Sequence, residues 1–135
     1  MIKLLPLYLM VVFLIPQDTF NDVLKASVKS QRKTLLVFSG SDWCRGCITF
    51  KTNVLDTEAF SAYSASKLGY FVADFPRDKA LITAAQLEEN QSLADQFNKK
   101  GLFPYLVLFD EKGKAIRRKA GGFSTLDDLM KWVEL

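Results

Sequence analysis

Histidine is missing from all 135 residues, and cysteine occurs only twice. Without histidine, Ser/His and Cys/His nucleophilic catalysis is excluded, and so are histidine metal ligands. Attachment of c-type haem is excluded as well, because it needs a histidine directly after the second cysteine of a Cys-x-x-Cys, and Ile48 stands there. No cysteine lies near the N-terminus to carry a lipid. A strong charge of one sign is also absent. The formal net charge of +3 is too mild to argue for nucleic acid as a partner. Lys99-Lys100 and Arg117-Arg118-Lys119 read as solvated surface, and the first pair suits a helix C-terminus. Finally, no apolar run reaches the ~20 residues that span a bilayer core.

The apolar stretch Leu4 to Ile15 is about 12 residues long, is broken by Pro6, follows Lys3 and precedes Gln17-Asp18. A short positive region before such a run reads as a secretory signal peptide. Phe13-Leu14-Ile15-Pro16 offers no small-residue pair for cleavage, so an uncleaved N-terminal anchor is the second reading. A buried N-terminal strand fits the length and charge asymmetry less well. Residues 1–16 are therefore expected to be a signal peptide or anchor, and residues 17–135 one domain. Export to an oxidising compartment follows, periplasmic or secreted. Lys3 is the one charge of the leader, so the remainder carries +2 and is nearly neutral. Apolar residues make up 49% and aromatic residues 13% of the chain, which argues for a packed core over disorder.

Both cysteines fall in Cys44-Arg45-Gly46-Cys47, directly after Trp43. Two thiols three positions apart on a helix's first turn share a face, so they can close a small disulfide ring and reopen it. That is the layout of a dithiol redox centre. Two other readings stand beside it. A structural disulfide across three residues closes too small a loop to constrain an unfolded chain much. Zinc needs four ligands, and two thiols without histidine fall short unless a dimer forms.

The pattern of elements supports this placement. Residues 18–29 read as a helix capped by Asp18, with Phe20, Val23, Leu24 and Val28 on one face. Thr34 to Phe38 is a continuous apolar run, as in a strand buried on both faces. Ser41 or Asp42 is expected to cap a helix from about Cys44 to Leu55. A further helix carries Phe60, Tyr63 and Leu68 and is expected to end at Gly69. Tyr70 to Phe75 reads as a strand, residues 83–100 as the longest helical stretch, and Gly101 as its stop. Tyr105 to Phe109 and Lys114 to Lys119 read as a hairpin around Asp110-Glu111-Lys112-Gly113. Thr125-x-x-Asp128 resembles a capping box for a last helix bearing Leu126, Leu129, Met130 and Val133. Helices alternating with apolar strands, then a hairpin and a helix, predict a three-layer α/β domain with a mixed central sheet.

With these motifs the chain resembles the thioredoxin-fold superfamily, and within it the small exported bacterial thioredoxin-like proteins. The resemblance covers about residues 18–135. The fold resemblance rests on the strand, turn and Trp43-Cys44-x-x-Cys47 helix, on Pro104 opening the strand Tyr105 to Phe109, and on the terminal hairpin and helix; the likeness to the small exported proteins rests on Ser39-Gly40-Ser41-Asp42-Trp43-Cys44 with Asp74-Phe75-Pro76 downstream. It implies Cys44 as nucleophile and Cys47 as resolving thiol, with Trp43, Arg45, Gly46, Phe103 and a cis Pro104 supporting the site. It also implies that the residue before the proline, Phe103, offers its backbone to an extended substrate segment. The chain departs from the family in two places. Arg45-Gly46 replaces the Gly-Pro of thioredoxins proper, and Phe38 stands where they carry a buried aspartate as proton acceptor. Water or Asp74 is then expected to relay the proton.

The implied function is a thiol-disulfide oxidoreductase, a disulfide reductase for extracytoplasmic proteins. It would need no added cofactor and no metal, only the Cys44–Cys47 pair. Its expected partners are proteins bearing disulfides or thiols and a membrane electron donor or acceptor, with the chain itself a monomer. A disulfide oxidase or isomerase would use the same residues. A non-catalytic binding module of the same fold is the third reading.

Overall fold

The computed structural model describes residues 18–135, so the leader expected over residues 1–16 lies outside the described residues. The elements run α1 (Phe20–Lys29), β1 (Lys33–Ser39), α2 (Arg45–Phe50), a π-helical turn (Lys51–Leu55), α3 (Glu58–Lys67), β2 (Leu68–Asp74), a short 3-10 turn (Lys79–Leu81), α4 (Ala84–Phe97), β3 (Tyr105–Phe109), β4 (Ala115–Ala120) and α5 (Leu126–Glu134). Among the described residues, four strands form one mixed sheet in the order β2-β1-β3-β4. β1 pairs parallel with β2 and antiparallel with β3, and β3 pairs antiparallel with β4.

Helices cover both faces of this sheet, which is why the central strands read as unbroken apolar runs. Along β1, Leu35 and Val37 point to one side. There they join Phe50 of α2, Val54 of the π turn, Phe60 and Tyr63 of α3, and Leu129 and Val133 of α5. Leu36 and Phe38 point to the other side, onto Phe20 of α1 and Leu93 of α4. The three-layer mixed α/β architecture is the one expected. β4 is an edge strand, and Arg117, Arg118 and Lys119 along it discourage further strand pairing.

Three local expectations are corrected. The cap of α1 is Thr19, not Asp18: its side chain accepts from the backbone N–H of Asp22, and the Asp22 carboxylate accepts the N–H of Thr19 in return. A reciprocal pair satisfies two otherwise orphan donors and so displaces the single cap that Asp18 would make. Gly69 does not end α3. That helix stops at Lys67, and Gly69 lies inside β2 opposite Thr34. A side chain there would overlap Ser27 of α1, so the glycine lets helix and strand approach. The third concerns the start of α2 and belongs to the site.

Candidate active site

β1 delivers the chain to the turn at residues 40–43, and α2 begins immediately after it. The carbonyl of Gly40 accepts the N–H of Cys44 at 2.9 Å, which closes the turn. The N-cap of α2 is then Cys44 itself, and its sulfur accepts the backbone N–H of Cys47 at 3.2 Å. Ser41 and Asp42, the expected caps, are engaged elsewhere. A sulfur that receives a helix N–H is held where negative charge is favoured.

Cys44 and Cys47 form a disulfide, with Cα atoms 5.2 Å apart. Cys44 is 8% exposed and Cys47 2%, so the first sulfur is the more accessible. Cys47 lies against the sheet, where its sulfur accepts the N–H of Gly40 at 3.4 Å. Arg45 and Gly46 between them are exposed. The Phe103–Pro104 peptide is cis. Pro104 sits across from Gly46, and a β-carbon on that glycine would come 3.3 Å from the proline ring.

Trp43 is fixed from several sides. Its indole N–H donates to the carbonyl of Phe75 at 2.8 Å. Its ring meets Phe103 edge-on at 5.4 Å, Phe103 in turn meets Phe75 at 5.6 Å, and the Arg77 guanidinium lies 5.4 Å from the indole centre. Gly40 lies so close to the indole that no side chain fits there. The indole still keeps over a third of its surface exposed, and Ile48 and Leu102 are exposed as well. Trp43 and Phe103, packed edge to face, form an apolar rim that offers contact area at little entropic cost.

Two carboxylates tie the turn to the end of β2. Asp42 accepts the backbone N–H groups of Arg77 at 2.8 Å and Asp78 at 2.9 Å. Those bonds, Asp78 first and then Arg77, hold its carboxyl below the usual carboxylate range. Asp74 accepts the N–H of Ser41 at 2.9 Å and its hydroxyl at 2.5 Å. From the far layer, the amide of Asn90 donates to the carbonyl of Asp74 at 2.9 Å. Behind the disulfide lies a cavity of about 200 Å³ lined by Cys47, Ser39, Ser41, Lys51, Asp56, Asp74 and Pro104 among others.

The structure thus brings Trp43, Cys44, Cys47, Gly46, Phe103 and Pro104 into one cluster, with Arg45 at its exposed edge and Asp74 behind it. Sequence reasoning missed Gly40, Ser41, Phe75 and Arg77 as parts of the site. Ser41, Phe75 and Arg77 reach it through tertiary contacts that no local motif announces, whereas Gly40 acts within the turn itself, on Trp43 three residues on. Among the described residues, no group of three or more His, Cys, Asp or Glu side chains is placed to hold a metal. No helix among them is long and apolar enough to cross a membrane.

Comparison with known proteins agrees with this geometry. The disulfide bond reductase DsbH of Chlamydia pneumoniae is 32% identical over 101 residues, covering 75% of this chain and 60% of that protein. The chain therefore matches less than two thirds of this relative's length. A solved DsbH oxidoreductase structure superposes with a TM-score of 0.72 at 27% identity, covering 89% of this chain and 85% of the other. A thioredoxin from Thermus thermophilus shares the fold at a TM-score of 0.60 and 18% identity, over 86% of this chain and 82% of its own. The model of the thioredoxin-like domain matches residues 20–135. With that match spanning every described element, the chain belongs to the thioredoxin-like domain family.

Proposed function

We propose that the protein is a thiol-disulfide oxidoreductase that reduces disulfides of extracytoplasmic proteins. The observation that carries this reading is the asymmetric disulfide at the start of α2, with Cys44 facing the apolar rim and Cys47 buried behind it. In the reduced protein the Cys44 thiolate attacks one sulfur of a substrate disulfide. A bond forms between Cys44 and that sulfur, and the other substrate sulfur leaves as a thiolate and takes up a proton. The Cys47 thiolate then attacks the Cys44 sulfur. The Cys44–Cys47 bond forms, the mixed disulfide breaks, and the second substrate thiol departs. Two electrons have passed from the protein to the substrate.

The supporting residues have separate tasks. The helix N–H groups and the neighbouring Arg45 cation favour the Cys44 thiolate. Trp43 and Phe103 form the wall against which a substrate segment lies. Gly46 and Pro104 keep that wall close to the sulfurs. The redox group is the protein's own dithiol, so no added cofactor takes part. Regeneration in an oxidising compartment needs an electron donor, and a membrane dithiol protein supplies the right chemistry. The DsbH relative is named a disulfide bond reductase, which favours the reducing direction.

The test is trapping. Cys47→Ser should accumulate mixed disulfides with unfolded secreted proteins, seen as adducts that dithiothreitol removes. Cys44→Ser should form none and should lose turnover in a protein-disulfide reduction assay. Equal activity of Cys44→Ser and the parent would remove the catalytic reading and leave a binding module.

A further inference from the structure

Resolution of the mixed disulfide requires Cys47 to lose a proton from a position almost closed to bulk solvent. Cys47 is 2% exposed, and Phe38, fully buried in the opposite layer, can accept nothing. The cavity behind Cys47 offers a route for that proton. Its titratable and charged lining is Cys47 from α2, Lys51 and Asp56 from the π turn and the residue after it, and Tyr70 and Asp74 from β2. Lys51 and Asp56 are already paired at 2.6 Å, an arrangement the five-residue spacing of the π turn produces. Asp74 is different. Its carboxylate is clamped by both the N–H and the hydroxyl of Ser41, and its backbone is clamped by Asn90. Ser41 and Asp74 both line the cavity, and the Ser41 hydroxyl donates to the carboxylate. A volume of about 200 Å³ with several polar walls is roomy enough for water.

We propose that Asp74, oriented by Ser41, is the proton acceptor for Cys47. This deepens the oxidoreductase reading and rests on it. The Cys47 proton passes through water or the Ser41 hydroxyl to Asp74. The resulting thiolate attacks the Cys44 sulfur, the substrate thiolate leaves, and Asp74 returns the proton to solvent or to the departing thiolate. Asp74 thus does the work of the missing buried aspartate from a different strand.

Single-turnover resolution of a pre-formed Cys44 mixed disulfide, followed from pH 5 to 9, tests this. Asp74→Asn keeps the shape and can still receive the Ser41 N–H. It should slow resolution at pH 7 by about 100-fold, the low end of what a general base contributes. The deficit should shrink at alkaline pH, where solvent hydroxide deprotonates Cys47. Alkylation of Cys44 in reduced protein, measured over the same pH range, should be unchanged. Ser41→Ala, which removes the hydroxyl bond to the carboxylate but keeps the backbone N–H bond, should give a smaller deficit of the same pH form. An unchanged resolution rate in Asp74→Asn would overturn the proposal, as would an equal deficit at every pH. If the parent protein itself shows no resolution step, the oxidoreductase reading fails as well.

Discussion

Cys44 does two jobs with one sulfur. It is the less buried member of the dithiol and also the N-cap of its own helix. The pairing of the two thiols could be read directly from Cys44-Arg45-Gly46-Cys47, because residues three apart at a helix start lie within reach of one another. The cap could not, since Ser41 and Asp42 are better capping residues and stand three and two residues before Cys44. Tertiary partners on β2 and in the 77–78 loop claimed both of them. Gly40 lies at the same scale. The indole of Trp43 packs onto its backbone, so Gly40→Ala must push the ring away. We expect a loss of about 1–3 kcal/mol, the usual cost of overpacking, from urea unfolding of the oxidised protein. The hydrogen bond between Trp43 and the Phe75 carbonyl should be lost too, visible as a red-shifted tryptophan emission.

Among the elements, the strands were the most legible. The continuous apolar runs of β1 and β3 announced burial on two faces, and the helix order followed from the apolar spacing. The boundaries were less legible. A helix ending at Gly69 was a reasonable reading of glycine, but β2 begins a residue earlier because Leu68 pairs with Lys33 and enters the core. The π turn had no sequence signal at all. α4 is the element that buttresses the site from the opposite layer, through Asn90 and the end of β2. Asn90→Ala leaves the Asp74 carbonyl without this donor, and we expect it to cost about 1–3 kcal/mol of unfolding free energy. Thr83 caps α4 in a reciprocal box with Gln86. Thr83→Ala should cost about 1 kcal/mol, measured the same way, with thiol reactivity of the reduced protein unchanged.

For the whole molecule, the distribution of hydrogen-bonded carboxylates sets the acid limit. Asp22, Asp42 and Asp110 each accept backbone N–H groups that hold their carboxyls below the ordinary value. A group with a depressed folded pKa adds stability above its unfolded pKa, near ~3.9 for aspartate, and loses it as pH falls through the folded value. Stability of the oxidised protein should therefore begin to fall below about pH 4, as checked by thermal melts between pH 2 and 7. Asp42→Asn should flatten part of that decline, since it removes one of the three groups that must be protonated. Added salt should leave most of it, because these carboxylates are held chiefly by hydrogen bonds to backbone N–H groups.

The oxidoreductase reading stands on Cys44 and Cys47 forming a reversible, reducing dithiol. Equilibrating the protein with dithiothreitol redox buffers, then alkylating and weighing it, measures the potential of that pair. We expect one two-electron transition at about −270 mV, on the reducing side of the range for such pairs. A value near about −120 mV would make the protein an oxidant, and no transition at all would make the disulfide structural; either would contradict it.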